Sequence, residues 1–218
     1  MSDDDESDSL SEAGFLDAAL GEEFPGLALR YVYVGRGSGR SNRALKERLR
    51  LLSNRFAGPQ AINLRQRPIP WAYRVFFRHI GLDPDEQPTP VEAIALERIK
   101  KGGFVSQNLL DDALTIAIME SGVALGAFDA DRVEPPLGLR PGQAGEVLEG
   151  RPGELPPGTL VVADQRRPIS LLFGAIASGR GVNKRTERML LTSIQVKGVP
   201  DIAVEEALWL AVQALKTT

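Results

Sequence analysis

Cysteine is absent from the 218 residues, which excludes disulfides, thiolate catalysis and cysteine-ligated zinc together and gives no sign of an oxidising compartment. Histidine occurs once, as His79 beside Arg78. No serine or carboxylate spacing marks it as a triad base; a partly exposed place near a helix C-terminus, where the protonated ring is favoured, is the plainer expectation. A single histidine without cysteine argues against a zinc site, and no metal or cofactor is expected. Long apolar runs are also missing: the best, residues 203–215, carries Glu205, Glu206 and Gln213, short of the roughly 20 apolar residues that span a bilayer. Residues 2–8 read SDDDESD, the opposite of the basic region that opens a secretory signal. The expectation is a cytoplasmic chain with no membrane association.

Acid is almost missing from one stretch and base from another. Residues 1–23 hold nine acidic residues and no basic one, and are expected to be a disordered acidic leader. Residues 24–80 hold twelve basic residues against Glu47 alone, a net of +11 hidden inside an overall charge of −3. Eleven of the twelve are arginine, whose planar fork pairs bidentately with phosphate. Such a cluster suits RNA, whose affinity comes mainly from phosphate neutralisation, and Arg43, Arg48, Arg50, Arg55, Arg74 and Arg78 are the candidate RNA-binding residues. A solvated face, or one screened by the leader, is the alternative.

What is present reads as one domain over residues 24–218. Residues 27–34 (LALRYVYV) are β-branched and aromatic, a strand, and glycines 35, 37 and 39 then turn the chain. In residues 44–56, Leu45, Leu49, Leu52 and Phe56 form a helical apolar stripe with arginines opposite. Helices are expected over residues 71–80, 91–101 and 109–120, the second opened by Thr89, Pro90 and Glu92 as a capping box and the third closed by Gly122. Short apolar runs split by Pro and Gly follow as strands at 124–128, 137–140, 146–148, 159–163, 169–176 and 189–196, before a closing helix at 203–216. Strands and helices are partly segregated, so the fold class is an α/β (α+β) sandwich with a mixed sheet packed against helices, not a doubly wound parallel sheet. Gly35-Arg36-Gly37-Ser38-Gly39 lacks the third glycine spacing and the later acidic residue of a dinucleotide loop.

The most informative string opens with Tyr73-Arg74, Phe77-Arg78, Gly81, Asp83-Pro84, Pro88-Thr89-Pro90 and Glu92-Ala93. Asn108, Asp112, Gly122 and Ala127-Phe128-Asp129 follow, then Leu139-Arg140, Gly145-Glu146, residues 160–164 (LVVAD), Gly181-Val182-Asn183 and Thr186. Over residues 71–191 it resembles the B3/B4 domain, the editing and tRNA-associated domain of the phenylalanyl-tRNA synthetase beta subunit, and more closely its free-standing relatives. No synthetase catalytic core or anticodon-binding domain is recognisable. The resemblance implies binding of tRNA or other RNA and a pocket for a small amino-acid-like group. For an enzyme of this kind it implies ester hydrolysis on misacylated tRNA. The implied pocket residues are Asn108, Asp112, Thr115, Gly126, Phe128, Asp129 and Ser178, with Asp112 able to receive an ammonium group. Gly126 stands where many editing sites carry histidine, Thr115 where asparagine is usual, and Ser178 near the place of an acidic residue, so catalytic residues are not assigned. A small-molecule-binding module without RNA contact is the alternative function.

Overall fold

The computed structural model describes residues 11–56 and 59–216. In chain order they form β1 (Glu12–Ala13), β2 (Phe15–Leu16), α1 (Ala18–Glu23), β3 (Ala28–Val34), α2 (Arg43–Arg55) and α3 (Pro59–Asn63). A 3-10 turn (Leu64–Gln66), α4 (Pro68–His79), α5 (Pro90–Lys101), α6 (Leu109–Ser121) and β4 (Ala124–Asp129) come next. The chain closes with β5 (Gly138–Pro141), β6 (Leu160–Ala163), β7 (Pro168–Leu171), β8 (Met189–Gln195) and α7 (Asp201–Lys216). No helix among the described residues is long and apolar enough to cross a membrane.

Two four-stranded sheets result. The first, ordered β1-β3-β8-β4, is antiparallel throughout; the second, β2-β5-β6-β7, is antiparallel except where β2 runs parallel to β5. This is the expected α+β sandwich. Strand β8 is its spine, buried at every position because both of its faces are covered. Leu190 and Ile194 face the second sheet and the Tyr73, Phe76 and Phe77 side chains of α4, while Met189 and Leu191 face α2, α6 and α7. Each large side chain so enclosed contributes about 1.5–3 kcal/mol. Tyr73 fixes α4 to the first sheet: its hydroxyl donates to the Ile194 carbonyl at 2.5 Å and accepts from the Ala124 amide at 3.1 Å. Full burial pushes its pKa well above the usual phenol value.

Part of the expected acidic leader is ordered. Residues 1–10 lie outside the described residues, but residues 11–23 are built into the sandwich, which corrects the expectation of disorder through Glu23. The reason is Gly14, which passes the chain from one sheet to the other and donates its amide to the Leu29 carbonyl at 2.8 Å. A Cβ there would lie 2.6 Å from the Leu137 carbonyl oxygen, so only glycine permits the crossing. Asp17 then caps α1 by accepting from the Leu20 amide at 3.1 Å. Two strand expectations change as well. Residues 146–148 form only the single bridge Val147 to Glu154, and the run 169–176 ends as β7 at Leu171 and turns back at Phe173, which sits at φ 55°.

Candidate nucleic-acid interface and ligand cleft

Helix α2 starts at Asn42, whose side chain accepts from the Leu45 amide at 2.8 Å, and it buries Leu45, Leu49 and Leu52. That stripe forces the five basic residues of the helix away from the core, against Glu47 as the only acid. Arg43, Lys46, Arg50 and Arg55 are exposed. Arg50 grips Glu47 through two hydrogen bonds of 2.9 and 2.6 Å, and Arg48, half-buried, reaches Glu120 at 2.6 Å. The Arg50–Glu47 pair is exposed and screened by solvent, so it holds its charges only loosely. The basic face continues past the helix end: the Arg67 guanidinium lies over the Phe56 ring at 5.3 Å, and that of Arg78 over the Trp71 ring at 5.7 Å.

Arg74 does not belong to this face, a correction to its expected RNA-binding role. It is buried with Tyr73 and Phe77, and its guanidinium bonds Glu92 at 2.7 Å and Asp85 at 2.6 Å. Glu92 in turn accepts from the amide and hydroxyl of Thr89, so the α5 capping box and the Arg74 pair share one carboxylate. Asp85 is the missed member of the cluster, with Arg78 at 3.8 Å and Arg65 at 3.9 Å besides Arg74. The Arg74 hydrogen bond holds its carboxyl below the usual range. Its sequence signal was the small acidic run Asp83, Asp85 and Glu86 in the turn that follows a stretch of arginines.

The seven residues expected to share a pocket are distributed on both sides of the first sheet. On the helical side, Asn108 caps α6, accepting from the Asp111 amide at 3.0 Å. Asp112 is buried and engaged by three donors: the Ser41 and Ser106 hydroxyls, each at 2.6 Å, and the Gln107 amide at 2.9 Å. Its carboxylate ties two loops to the helix. Thr115 borders a separate cavity of about 270 Å³ with Leu49 and Phe104. On the inter-sheet side, Phe128 packs in the core and Gly126 lies opposite Thr192, whose hydroxyl oxygen would be 3.2 Å from an added Cβ. Asp129 is buried at the end of β4, accepting from Thr186 Oγ1 at 2.6 Å. Ser178 is exposed and donates its amide to the Glu149 carbonyl at 2.7 Å. Asp164 caps a turn by accepting from the Arg166 and Arg167 amides.

A cleft that the sequence did not reveal lies elsewhere, between the end of α1, the C-terminal turn of α4 and the β6–β7 hairpin. Its volume is about 580 Å³, and Phe24, Phe77, His79, Leu160 and Phe173 line it. That volume is in the range that holds a small ligand. A second cavity of about 360 Å³ shares Phe24 and His79 in its lining. The Phe173 ring packs on Phe77 at 5.3 Å and Tyr73 at 5.9 Å, held at a φ that bulky residues rarely adopt. The lone His79 was visible in the sequence, but the hairpin that faces it was hidden in what reads as one continuous strand.

A two-sheet α+β sandwich carrying an arginine face on one helical flank defines the class. Residues 72–206, well over half of the chain, match the family described as the B3/4 domain, and the chain belongs to that family. Among curated proteins it is similar to the phenylalanine–tRNA ligase beta subunit of Haemophilus influenzae, 33% identical over 102 residues, covering 44% of this chain and 13% of that protein. The Xanthomonas oryzae subunit of the same name is 36% identical over 118 residues, covering 52% and 14% respectively. That of Nitrosococcus oceani is 32% identical over 100 residues, covering 44% and 13%. The chain thus spans only about an eighth of the length of these relatives.

Proposed function

We propose that this B3/4 domain binds tRNA or another RNA through the exposed arginines of α2 and those that follow it, and receives a small amino-acid-like group in the Phe24–His79–Phe173 cleft. The observation that carries the reading is the charge of α2, five basic residues to one acid on a helix whose other face is fully committed to the core. Its similarity to phenylalanine–tRNA ligase beta subunits supports the choice of tRNA over other polyanions. Binding is placed ahead of ester hydrolysis. Gly126, the position where many editing sites carry histidine, lies outside this cleft, whose ionisable lining residues are Glu23 and His79.

Filter binding of tRNA across a salt series tests the first part: affinity that falls steeply with salt supports it, and absent or salt-independent binding refutes it. The cleft favours a second reading, a small-molecule-binding module without RNA contact. A melting temperature raised by an amino acid in a protein that retains no tRNA selects that reading.

A further inference from the structure

We infer that Trp71 is a stacking platform for an unpaired base, so that the RNA this domain takes is single-stranded where it crosses α4. The inference rests on the RNA reading above and narrows its substrate class. Trp71 is large, apolar and yet 49% exposed on the first turns of α4, where Ala72 and Tyr73 beside it are buried. The helix has no core reason to place an indole there, since the turn is already anchored by Pro70, Ala72 and Tyr73. Its surroundings are cationic: Arg78 lies over the ring at 5.7 Å, and Arg67, whose carbonyl accepts the Trp71 amide at 2.9 Å, is one turn ahead.

Residues 64–80 contain four arginines and no acid, so the counter-charge must come from outside this segment. Asp85 supplies part of it, to Arg65, Arg74 and Arg78. Arg67, bonded to Trp71 through the backbone, lays its guanidinium over Phe56 at the end of α2, so the segment that carries the indole is joined to that helix. An aromatic face set in a line of guanidinium groups is the arrangement that binds single strands: phosphates meet the charges and a base lies on the ring. A paired base presents no free face, so a duplex gains only the charge.

The test uses the full chain carrying Trp209→Phe, which leaves Trp71 as the sole indole. An oligouridylate and a blunt-ended RNA duplex are titrated at fixed salt while the fluorescence is read. The single strand quenches Trp71 and the duplex does not. Trp71→Ala loses about tenfold in affinity for the single strand and about twofold or less for the duplex. The slope of log affinity against log salt stays unchanged because no charge is removed. Trp71→Phe retains most of the affinity, which separates stacking from a folding defect. RNA binding that persists without quenching, or an equal loss on both RNAs, overturns the inference and leaves the RNA reading standing. No binding of either RNA overturns both.

Discussion

Replacing Arg74 by methionine tests whether this arginine is structural or belongs to the RNA surface. Its side chain is 5% exposed and that of Glu92 11%, whereas Asp85 is 57% exposed. Removing one member of a buried pair costs about 3–5 kcal/mol, because the other charge stays enclosed. Here Glu92 keeps two hydrogen bonds from Thr89, and a cavity of about 260 Å³ along Arg74 and Glu92 admits water, so the lower end, about 3 kcal/mol, applies. The Asp85 contact is exposed and screened by solvent, so Asp85→Asn is the mild control. Urea unfolding of Arg74→Met, Glu92→Gln and the double variant gives the coupling, and the double variant should lose less than the sum of the singles. RNA affinity of the folded Arg74→Met protein should match the parent. A loss under about 1 kcal/mol together with weakened RNA binding would refute the placement of Arg74 in the core.

Asp112→Ala strands two serine hydroxyls and the Gln107 amide, and should cost about 3 kcal/mol in urea unfolding; an unaltered midpoint would return Asp112 to the ligand candidates. Tyr73→Phe removes the hydroxyl bridge between β4 and β8 and should cost about 1–2 kcal/mol, with no change in RNA affinity at temperatures where the protein stays folded. Arg74 holds the Asp85 carboxyl, and Arg140 that of Glu146, below the usual range. Their stabilisation is therefore complete above the ordinary carboxylate pKa of about 4 and is lost as pH falls through the lower folded values. The urea midpoint should decline in that acid window, and an Asp85→Asn, Glu146→Gln variant should show a flatter profile; superimposable profiles would contradict the assignment.

The helices were legible because each carries a local signature. The Leu45, Leu49, Leu52 stripe, the Thr89-Pro90-Glu92 capping box and the Gly122 stop gave α2, α5 and α6 within a residue or two. Helix α4 starts three residues before the expected residue 71, because Pro68 and Pro70 look like a loop in sequence although the first helical turn accommodates them. Strands β1 and β2 were not legible: two residues each carry no periodicity, and their partners are Ala28–Val34 and Gly138–Pro141, far along the chain. The candidate site was legible in composition and not in placement. Charge marked the arginines, but Arg74 is buried through Glu92, and Asp112 is consumed by Ser41, 71 residues away. Such pairings are set by tertiary contact, which spacing along one helix does not reveal.

The most direct measurement of the RNA reading is the salt dependence of tRNA affinity for the parent protein and for Arg43→Gln, Arg50→Gln, Arg55→Gln, three exposed positions on α2. Each lost phosphate contact lowers the slope of log affinity against log salt by about 0.7–0.9, so the triple variant should be shallower by about 2 with its unfolding midpoint retained. A parent with no salt dependence, or a triple variant with the parent's slope and affinity, would contradict it.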